Sequence, residues 1–509
     1  MRRARASIVQ SFARAAFPIL ISIAAPVSAK TVTIANILFP SIPYSPYQGL
    51  SLPQIMTTFA VYDPMTVVDG KGRVQPWLAE SWQTDDAQVW RITLRDGIVF
   101  SNGRPLDSEA LVASVAHMQT KAGRAETIGA SMSQIDGITA ISPRVVELRL
   151  KERDAMIPTK MAAWKIPEPR AWAELEAGGG TANAIGTGPF MFDRMDDSRM
   201  TMRANPRAWH KPAVDELVFV KLPDQVARLQ AILASTADIA TQLGIENRAD
   251  IEAAGGKLVP RQSHQVIYLG FPTEHFKDKS SPIQDQRVRQ ALNYGVDKDA
   301  IIGSILHGAV KATGQLVVPG GPGSDPTIKA YPYDPRKAKA LLAEAGYANG
   351  MDIFLRFANT GSDDDTVIQQ VIANLKDIGV RVTVKPISQA QMTPTLFAGT
   401  LESELFMMFG RGLDPLGDYR FRSCLGLTAG KPFFCDPAAM KLVDSAINAT
   451  SLEQADLALR EVTRHEYENP PGIFLWQRVF FDAFSARMPV PAGYGEAYES
   501  VDLSALKPK

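Results

Sequence analysis

The sequence predicts an α/β protein of two or three domains, and three observations predict it. The chain has 509 residues, about three times the length of an ordinary domain of roughly 150 residues. Its second half alternates helical and extended patterns, which is typical of parallel strands joined by helices. Hydrophobic residues make up 45% and charged residues 21% of the chain, as in globular proteins.

The charge balance indicates no nucleic-acid partner. Lysine and arginine number 54, and aspartate and glutamate also number 54, so the formal net charge is zero. A protein that binds a phosphate backbone needs a basic excess, and this chain has none.

The first 29 residues have the pattern of a secretory signal peptide. An apolar stretch over residues 17–27 follows a basic start, and residues 27–29 (VSA) form a small-residue cleavage pattern. This stretch is shorter than the roughly 20 residues that span a bilayer. No cysteine lies near the cleavage point, so we expect a soluble exported chain and not a lipoprotein. A frayed amphipathic N-terminus is the alternative.

Local patterns predict the elements of the first half. Residues 31–35 (TVTIA) have the composition of a strand. Apolar and polar residues alternate over residues 90–95 (WRITLR), the period of a half-buried strand. A helix then begins at Asp107 or Ser108, because both residue types cap helices and an apolar face follows them.

The second half contains a strand–helix–strand unit. Asp334 and Pro335 predict the start of a helix that Gly346 ends. A strand over residues 353–357, a helix over 366–378 and a strand from residue 380 follow. A unit of this size is a crossover between parallel strands, so this region belongs to an α/β lobe.

The sequence lacks the common catalytic and metal-binding motifs. It has no phosphate-binding glycine loop and no G-x-S-x-G nucleophile turn. His465 and Glu466 begin like a zinc-protease motif, but Asn469 stands where the second histidine belongs. We therefore predict no catalytic residue, no metal site and no cofactor. Scattered carboxylates can still converge in a fold, which leaves an exported hydrolase as the alternative function.

The two cysteines of the chain, Cys424 and Cys435, form a natural pair in an oxidising compartment. Two unpaired buried thiols are the alternative. No His, Asp or Glu stands at ligand spacing around both, so they make a poor zinc site.

Four segments together resemble the extracytoplasmic solute-binding proteins of ABC importers, in the family that includes the dipeptide- and oligopeptide-binding proteins. Each segment alone is a physically sensible strand, turn or helix, but the four occur in family order over residues 31–509. They are residues 76–106 (PWLAESW to SNGRPL), 186–190 (GTGPF) with Asn205, Pro206 and Trp209, 287–298 (RVRQALNYGVDK) and 333–347 (YDP to LLAEAGY).

The resemblance implies a two-lobe, three-domain periplasmic binding protein fold, with mixed sheets, helices and a ligand cleft between the lobes. It implies a periplasmic, monomeric protein that captures a peptide or another small molecule and delivers it to the permease subunits of an ABC transporter. The implied domains are residues 31–68, 165–262 and 484–509 for domain I, 69–164 for domain II and 263–483 for domain III.

One position departs from the peptide-binding relatives. In those relatives an aspartate precedes an acidic residue and proline by three residues and accepts the amine of the peptide. Counting back through residues 406–415 (FMMFGRGLDP) from Asp414 gives Arg411 instead. A guanidinium favours carboxylate or phosphate, which predicts a ligand with an acidic or neutral group there. Pairing of Arg411 with Asp414 or Asp418, or a shift of one residue, is the alternative.

Other candidates for the cleft are Tyr268, Phe271, Tyr44, Met408 and Asp414. The aromatic residues could stack on a ligand, and Met408 could form an adaptable apolar wall. Core packing is the alternative for the apolar candidates. The ligand itself stays open among peptides, opines, glutathione-like compounds, nickel chelates and sugars.

Overall fold

The structure of the chain is a computed structural model. It describes residues 30–40, 44–48, 52–180, 183–276, 279–358, 364–411, 414–424, 432–496 and 501–509. Within these ranges, only the backbone is described for Gln389, Ala390, Thr393, Phe397, Arg411 and Phe421. The predicted signal peptide lies outside the described residues.

The strands are numbered in chain order. They are β1 (Thr31–Asn36), β2 (Thr66–Val68), β3 (Val74–Pro76), β4 (Ala79–Gln83), β5 (Val89–Leu94), β6 (Ile135–Ser142), β7 (Val145–Leu150), β8 (Phe190–Met195), β9 (Arg199–Ala204), β10 (Glu216–Lys221), β11 (Ile239–Leu243), β12 (Lys257–Gly270), β13 (Met351–Phe357), β14 (Val380–Pro386), β15 (Leu405–Arg411) and β16 (Gly472–Phe484).

The helices follow the same numbering. They are α1 (Leu52–Val61), α2 (Ser108–Gln119), α3 (Lys121–Ala125), α4 (Thr127–Ser131), α5 (Ile157–Lys160), α6 (Pro169–Glu176), α7 (Gln225–Leu233), α8 (Arg248–Ala253), α9 (Gln286–Tyr294), α10 (Lys298–Ser304), α11 (Pro335–Glu344), α12 (Asp364–Asp377), α13 (Gln389–Ala398), α14 (Pro415–Arg422), α15 (Pro437–Ile447) and α16 (Leu452–Glu468). Within the described ranges, none of them has the length and apolar character needed to cross a membrane.

In the described part of the chain, the strands form one large sheet and two small ones. The large sheet has the order β14-β13-β15-β12-β16-β11-β1-β10-β9-β8. We call β11, β1, β10, β9 and β8 its first half and β14, β13 and β15 its second half. The long strands β12 and β16 lie between the halves and pair antiparallel from end to end, with register shifts between Gln262 and Val266 and between Ile267 and Tyr268. The predicted α/β class is confirmed.

The predictions for the strand at residues 90–95 and for the helix cap at Asp107, both in the first half of the chain, are confirmed. Trp90, Ile92 and Leu94 are buried on one face of β5, which belongs to the four-stranded sheet β4-β5-β7-β6. Asp107 caps α2, since its side chain accepts a hydrogen bond from the backbone N–H of Glu109. Both features are readable from the sequence because they involve residues close together in the chain.

The predicted crossover is also confirmed. Strands β13 and β14 are parallel and α12 joins them. The side chain of Asp334 caps α11, and Gly346 follows that helix with φ of +94°. In β14, Val380 is buried, whereas Val382 and Val384 are only partly buried. The reason is that β14 is the edge strand of the large sheet, so neighbours cover it on one side only.

The predicted disulfide is confirmed. Cys424 and Cys435 are joined by an S–S bond, and it closes a short loop directly after α14. Helix α14 follows β15, so this covalent link lies next to the segment that carries Arg411 and Asp414.

Two of the four segments that carry the family resemblance meet at one buried carboxylate, Asp63, which we call the Asp63 site. Its oxygens accept hydrogen bonds from Trp77 Nε1 at 2.7 Å and Trp209 Nε1 at 3.0 Å. Thr187 Oγ1 donates at 2.8 Å, and His210 Nε2 lies 2.9 Å away. Asp63 has no solvent exposure. These motif residues therefore stabilise the fold.

The Asp63 site predicts a pH dependence of stability. Burial disfavours the charged form of His210, but its contacts with Asp502 and Asp63 outweigh burial and raise its pKa to about 9. A raised folded-state pKa stabilises the protein fully below the ordinary value of about 6.5, and this contribution disappears as pH rises to about 9. We expect the urea midpoint to fall between pH 6.5 and 9, and His210→Gln to flatten that fall. An equally steep fall in the variant would contradict the assignment.

Candidate ligand-binding cleft

The large sheet brings the strand ends of its two halves toward each other. Strand β15 pairs antiparallel with β12 and ends with Arg411 opposite Gln265. Strand β11 pairs antiparallel with β16 and ends with Leu243 opposite Phe481. Because β12 and β16 are themselves antiparallel, β15 and β11 run in opposite directions and their carboxyl ends converge on the middle of the long strands. The carboxyl ends of strands in open α/β sheets are where ligands bind.

A cavity of about 310 Å³ lies at this convergence. Ligand pockets are typically about 300–1,000 Å³, so it has the size for a small solute. Its walls come from both halves and from β16. They include Ile37, Pro223, Gln225, Arg228 and Gln242 near the first half, Asp364, Val367 and Met407 from the second, and Trp476, Arg478 and Phe480 from β16.

Two further cavities, of about 410 and 530 Å³, lie beside residues 297–333. The walls of the smaller one come from that segment alone, and the larger one is also lined by β12 and β16. Neither has a wall from the first half of the sheet. The cavity shared by both halves is therefore the candidate ligand site, because closure of two lobes on a solute requires walls from both.

Arg478 occupies a defined position in the wall of the shared cavity. Its guanidinium carbon lies 4.6 Å from the ring centre of Phe409 and 4.7 Å from that of Phe480, which makes two cation–π contacts. We call these three residues the Arg478 stack. One of the Nη atoms of Arg478 is 3.4 Å from Oε1 of Gln265. Burial lowers the pKa of Arg478, and the charge of Asp364 opposes this shift.

A buried ion pair between Arg261 and Asp482 lies next to the Arg478 stack. Arg261 of β12 donates from Nε to Asp482 of β16 at 2.5 Å, and neither side chain is more than 1% exposed. The guanidinium carbon of Arg261 also lies 5.7 Å from the ring centre of Phe480, a member of the stack. The hydroxyl of Tyr494 donates to Asp482 at 2.8 Å. The long strands are thus joined by side chains as well as by backbone.

Gln242 stands in the cavity wall with a strained backbone. Its φ is +55°, in the left-handed region, at an irregularity in the pairing of β11 with β16. Its N–H donates to Asp482 at 3.0 Å, and its carbonyl accepts from Arg228 at 2.9 Å. Non-glycine residues held in this region cluster at functional sites.

Arg228 also lines the cavity, but its guanidinium forms hydrogen bonds to backbone carbonyls and so stabilises the fold. It donates to the carbonyls of Thr241, Leu222, Pro223 and Gln242 at 2.7–2.9 Å. These bonds hold the carboxyl end of β11 against the loop after β10. Arg228 therefore shapes the wall.

The backbone of Arg411 ends β15, next to the Arg478 stack, and its side chain lies outside what the structure describes. Asp414 caps α14 by accepting from Gly417 N–H at 2.9 Å, and its Oδ2 is 3.8 Å from Nζ of Lys160. Asp418 accepts from Arg422 at 2.6 Å. Both acids that were alternative partners for Arg411 thus contact other cations.

The remaining predicted site residues lie in packed surroundings. Tyr268 and Phe271 have no exposed surface, and the electrostatic neighbours of the Tyr268 hydroxyl are Asp418, Arg422 and Glu466. Tyr44 is also fully buried and donates to the carbonyl of Thr57 at 2.5 Å. Met408 is partly buried and packs on the cluster that contains Tyr268. None of these four is part of the shared cavity wall, whereas Met407 is.

The sequence patterns did not single out Arg478, Phe409, Phe480 or Gln242. Arg478 had a visible signal, because it interrupts the apolar run of residues 472–484 (GIFLWQRVFFDAF). A charged residue inside a buried strand needs a partner or a function. Phe409 and Phe480 had no such signal, since an aromatic residue in a strand ordinarily belongs to the core. Gln242 had none either, because no local pattern of the sequence marks its positive φ. Across the described ranges, no three His, Cys, Asp or Glu side chains are grouped to hold a metal ion.

A sheet of two halves with a shared cavity defines the class of two-lobed periplasmic binding proteins. The ABC transporter-associated periplasmic binding protein DppA from Helicobacter pylori, solved with the peptide STSA, has this fold. Its TM-score is 0.73 at 20% sequence identity, covering 94% of this chain and 98% of that one.

The family model described as "Bacterial extracellular solute-binding proteins, family 5 Middle" matches residues 73–422, more than half of the chain. The chain belongs to this family. It is accordingly a substrate-binding protein of the ABC-transporter class and not an enzyme.

Curated relatives differ in the ligand for which they are named. The nickel-binding periplasmic protein of Escherichia coli is 28% identical over 357 residues, which is 65% of this chain and 66% of that protein. Heme-binding protein A of Haemophilus influenzae is 26% identical over 84% of each chain. Other relatives are named for dipeptides and for glutathione. The family therefore shows the class of function and leaves the solute to be identified.

Proposed function

We propose that this protein is the periplasmic substrate-binding subunit of an ABC importer for a peptide or a peptide-like polar solute. It captures the solute between two lobes and delivers it to the permease subunits in the membrane. The observation that carries the proposal is the cavity shared by both halves of the large sheet, at the converging strand ends. The alternatives are the non-peptide solutes for which relatives are named.

The arrangement of the chain supports closure of the lobes on the ligand. Domain I is residues 31–68, 165–262 and 484–509, domain II is residues 69–164, and domain III is residues 263–483. Strands β12 and β16 join domain I to domain III, so they act as the hinge. Closure then removes the solute from water, as in other two-lobed binding proteins. The protein works as a monomer in this mechanism.

Arg411 is the cationic contact that selects the solute. Positions 407, 409 and 411 of β15 are alternate residues, and alternate residues of a strand lie on the same face of the sheet. Met407 lines the cavity and Phe409 belongs to the Arg478 stack. An ammonium group brought against a guanidinium in a desolvated cleft is repelled, whereas a carboxylate gains charge-assisted hydrogen bonds.

Binding itself is tested with the mature protein purified from its own host. Native mass spectrometry identifies the solute that co-purifies with it. After removal of that solute, tryptophan fluorescence is expected to show saturable, reversible rebinding, and small-angle scattering is expected to show a smaller radius of gyration in the bound state. Turnover of the solute by the pure protein would overturn the proposal in favour of an exported enzyme.

We expect Arg411→Ala to weaken binding of the co-purified solute by roughly 10- to 100-fold, because a hydrogen-bonded charge contact is lost. Arg411→Asp is expected to weaken it further and to admit dipeptides with a free amine. Calorimetry of the wild type and both variants, against the solute and a dipeptide panel, measures this. Tight binding of free-amine dipeptides by the wild type, unchanged in Arg411→Ala, would show that Arg411 does not contact the ligand.

A further inference from the structure

We propose that Arg478 binds a carboxylate of the solute, and that the substrate class is a carboxylate joined to an apolar or aromatic group. The inference rests on the proposed function and makes its ligand more specific. It assigns recognition to β16, one of the two strands that join the lobes, whereas Arg411 belongs to β15.

The stack holds the guanidinium in one orientation. Phe409 and Phe480 lie 4.6 and 4.7 Å from its central carbon, so contacts with two ring faces restrict its plane. A guanidinium has five N–H donors, and they lie in that plane. One of its Nη atoms is directed to Gln265. A planar donor group fixed in this way is suited to bidentate recognition of a carboxylate.

The stack occupies a position where a solute can reach it. Arg478 and Phe480 belong to the wall of the 310 Å³ cavity, and Met407 of the same wall is two residues before Phe409. Arg478 is half-buried, so water screens a bound charge less than it would at the surface. The cavity is thus a site in which one ionic contact discriminates strongly between an acid and its neutral analogue.

The other charges around the cavity are compatible with this role. Asp364, at the start of α12, acts electrostatically on Arg478. A guanidinium has five donors and can interact with two carboxylates at once. A carboxylate of the solute can therefore bind Arg478 while Asp364 keeps its position. The guanidinium of Arg228 is bonded to backbone carbonyls. Arg411 ends the neighbouring β15, and a second cation there also favours an anionic solute.

The apolar part of the solute follows from the remaining wall. Phe480, Trp476 and Met407 present aromatic and thioether surface beside Arg478. Aromatic and methionine side chains bind flat or branched apolar groups without a fixed hydrogen-bond pattern. A carboxylate held by the stack would place the adjoining group of the solute against this surface.

The test uses the full mature protein and matched probes. The probes are N-acetyl-Ala-Phe, its C-terminal amide, and phenyl phosphate, which separates a carboxylate from a phosphate. We expect calorimetry to show that the wild type binds the acid at least 10-fold more tightly than the amide. Arg478→Gln is expected to abolish this preference while leaving the affinity for the amide within about twofold. Arg478→Lys is expected to retain part of the preference, because charge remains but the planar donor set is lost.

The control is Arg381→Gln, which removes an exposed arginine that pairs with Asp352 and does not line the cavity, and it is expected to change nothing. Equal binding of acid and amide by the wild type, or equal loss of both in Arg478→Gln, would overturn the assignment. Tighter binding of phenyl phosphate than of any carboxylate would do the same. If the wild type binds no carboxylate but rebinds a neutral solute that co-purified with it, the carboxylate assignment fails and the importer function stands.

Discussion

Replacing Asp482 with alanine is expected to destabilise the protein by about 3–5 kcal/mol, the usual cost of breaking a buried ion pair. The change removes the carboxylate that pairs with the Arg261 guanidinium between the long strands, where both side chains are at most 1% exposed. It also removes the acceptor for the Tyr494 hydroxyl and for the N–H of Gln242. Urea unfolding of wild type and variant measures the loss.

The same variant is expected to weaken ligand binding. Arg261 and Arg478 both contact the Phe480 ring, so the ion pair of Arg261 helps to position the Arg478 stack. Gln242, which lines the cavity, loses the bond that helps to hold its strained backbone. Asp352→Ala, at a carboxylate that is 71% exposed, is the matched control and is expected to change stability by less than about 1 kcal/mol. A loss below about 1 kcal/mol in Asp482→Ala would contradict the prediction.

Asp63→Asn is expected to lower the free energy of unfolding by a similar amount, about 3–5 kcal/mol. Asparagine has nearly the shape of aspartate, but one carboxylate oxygen becomes an NH₂ group. That group would face the donors of Trp77, Trp209 or Thr187, which have no other acceptor at this site. The charge that pairs with His210 is lost as well. Fluorescence-detected urea unfolding suits this site, because two tryptophans contact the carboxylate.

Thr187→Val is the graded control for Asp63→Asn. It removes one donor from the site and is expected to cost about 1 kcal/mol, the value of a single hydrogen bond. Equal effects of the two substitutions would show that Asp63 acts through Thr187 alone. An Asp63→Asn variant as stable as the wild type would show that the motif tryptophans do not depend on the carboxylate.

A comparison of the Asp63 site with the cavity wall shows why the sequence identified the family but not the ligand. Trp77, Thr187 and Trp209 lie in the recognisable segments, and the structure shows that they meet at Asp63. These residues identify the family because they hold the fold together. A ligand-binding position varies with the solute, so the corresponding residues, such as Arg478 and Gln242, belong to none of the four segments.

Features that depend on neighbours along the chain can be predicted without the structure. These are the alternating strand at Trp90, the caps at Asp107 and Asp334, the crossover between β13 and β14, and the bridge of Cys424 to Cys435. Periodicity, capping and short loop closure act over a few residues, and a sequence displays them directly.

The position of the cleft and the residues that line it depend on contacts between distant parts of the chain, so local patterns did not predict them. Arg478 meets Gln265 across 213 residues of chain, and Gln242 meets Asp482 across 240. Such pairs are set by which strands neighbour each other in the large sheet, and no local pattern records that order. The packing of β12 against β16 turned an arginine in an apolar strand into part of a cavity wall, and it placed Tyr44, Tyr268 and Phe271 in packed cores.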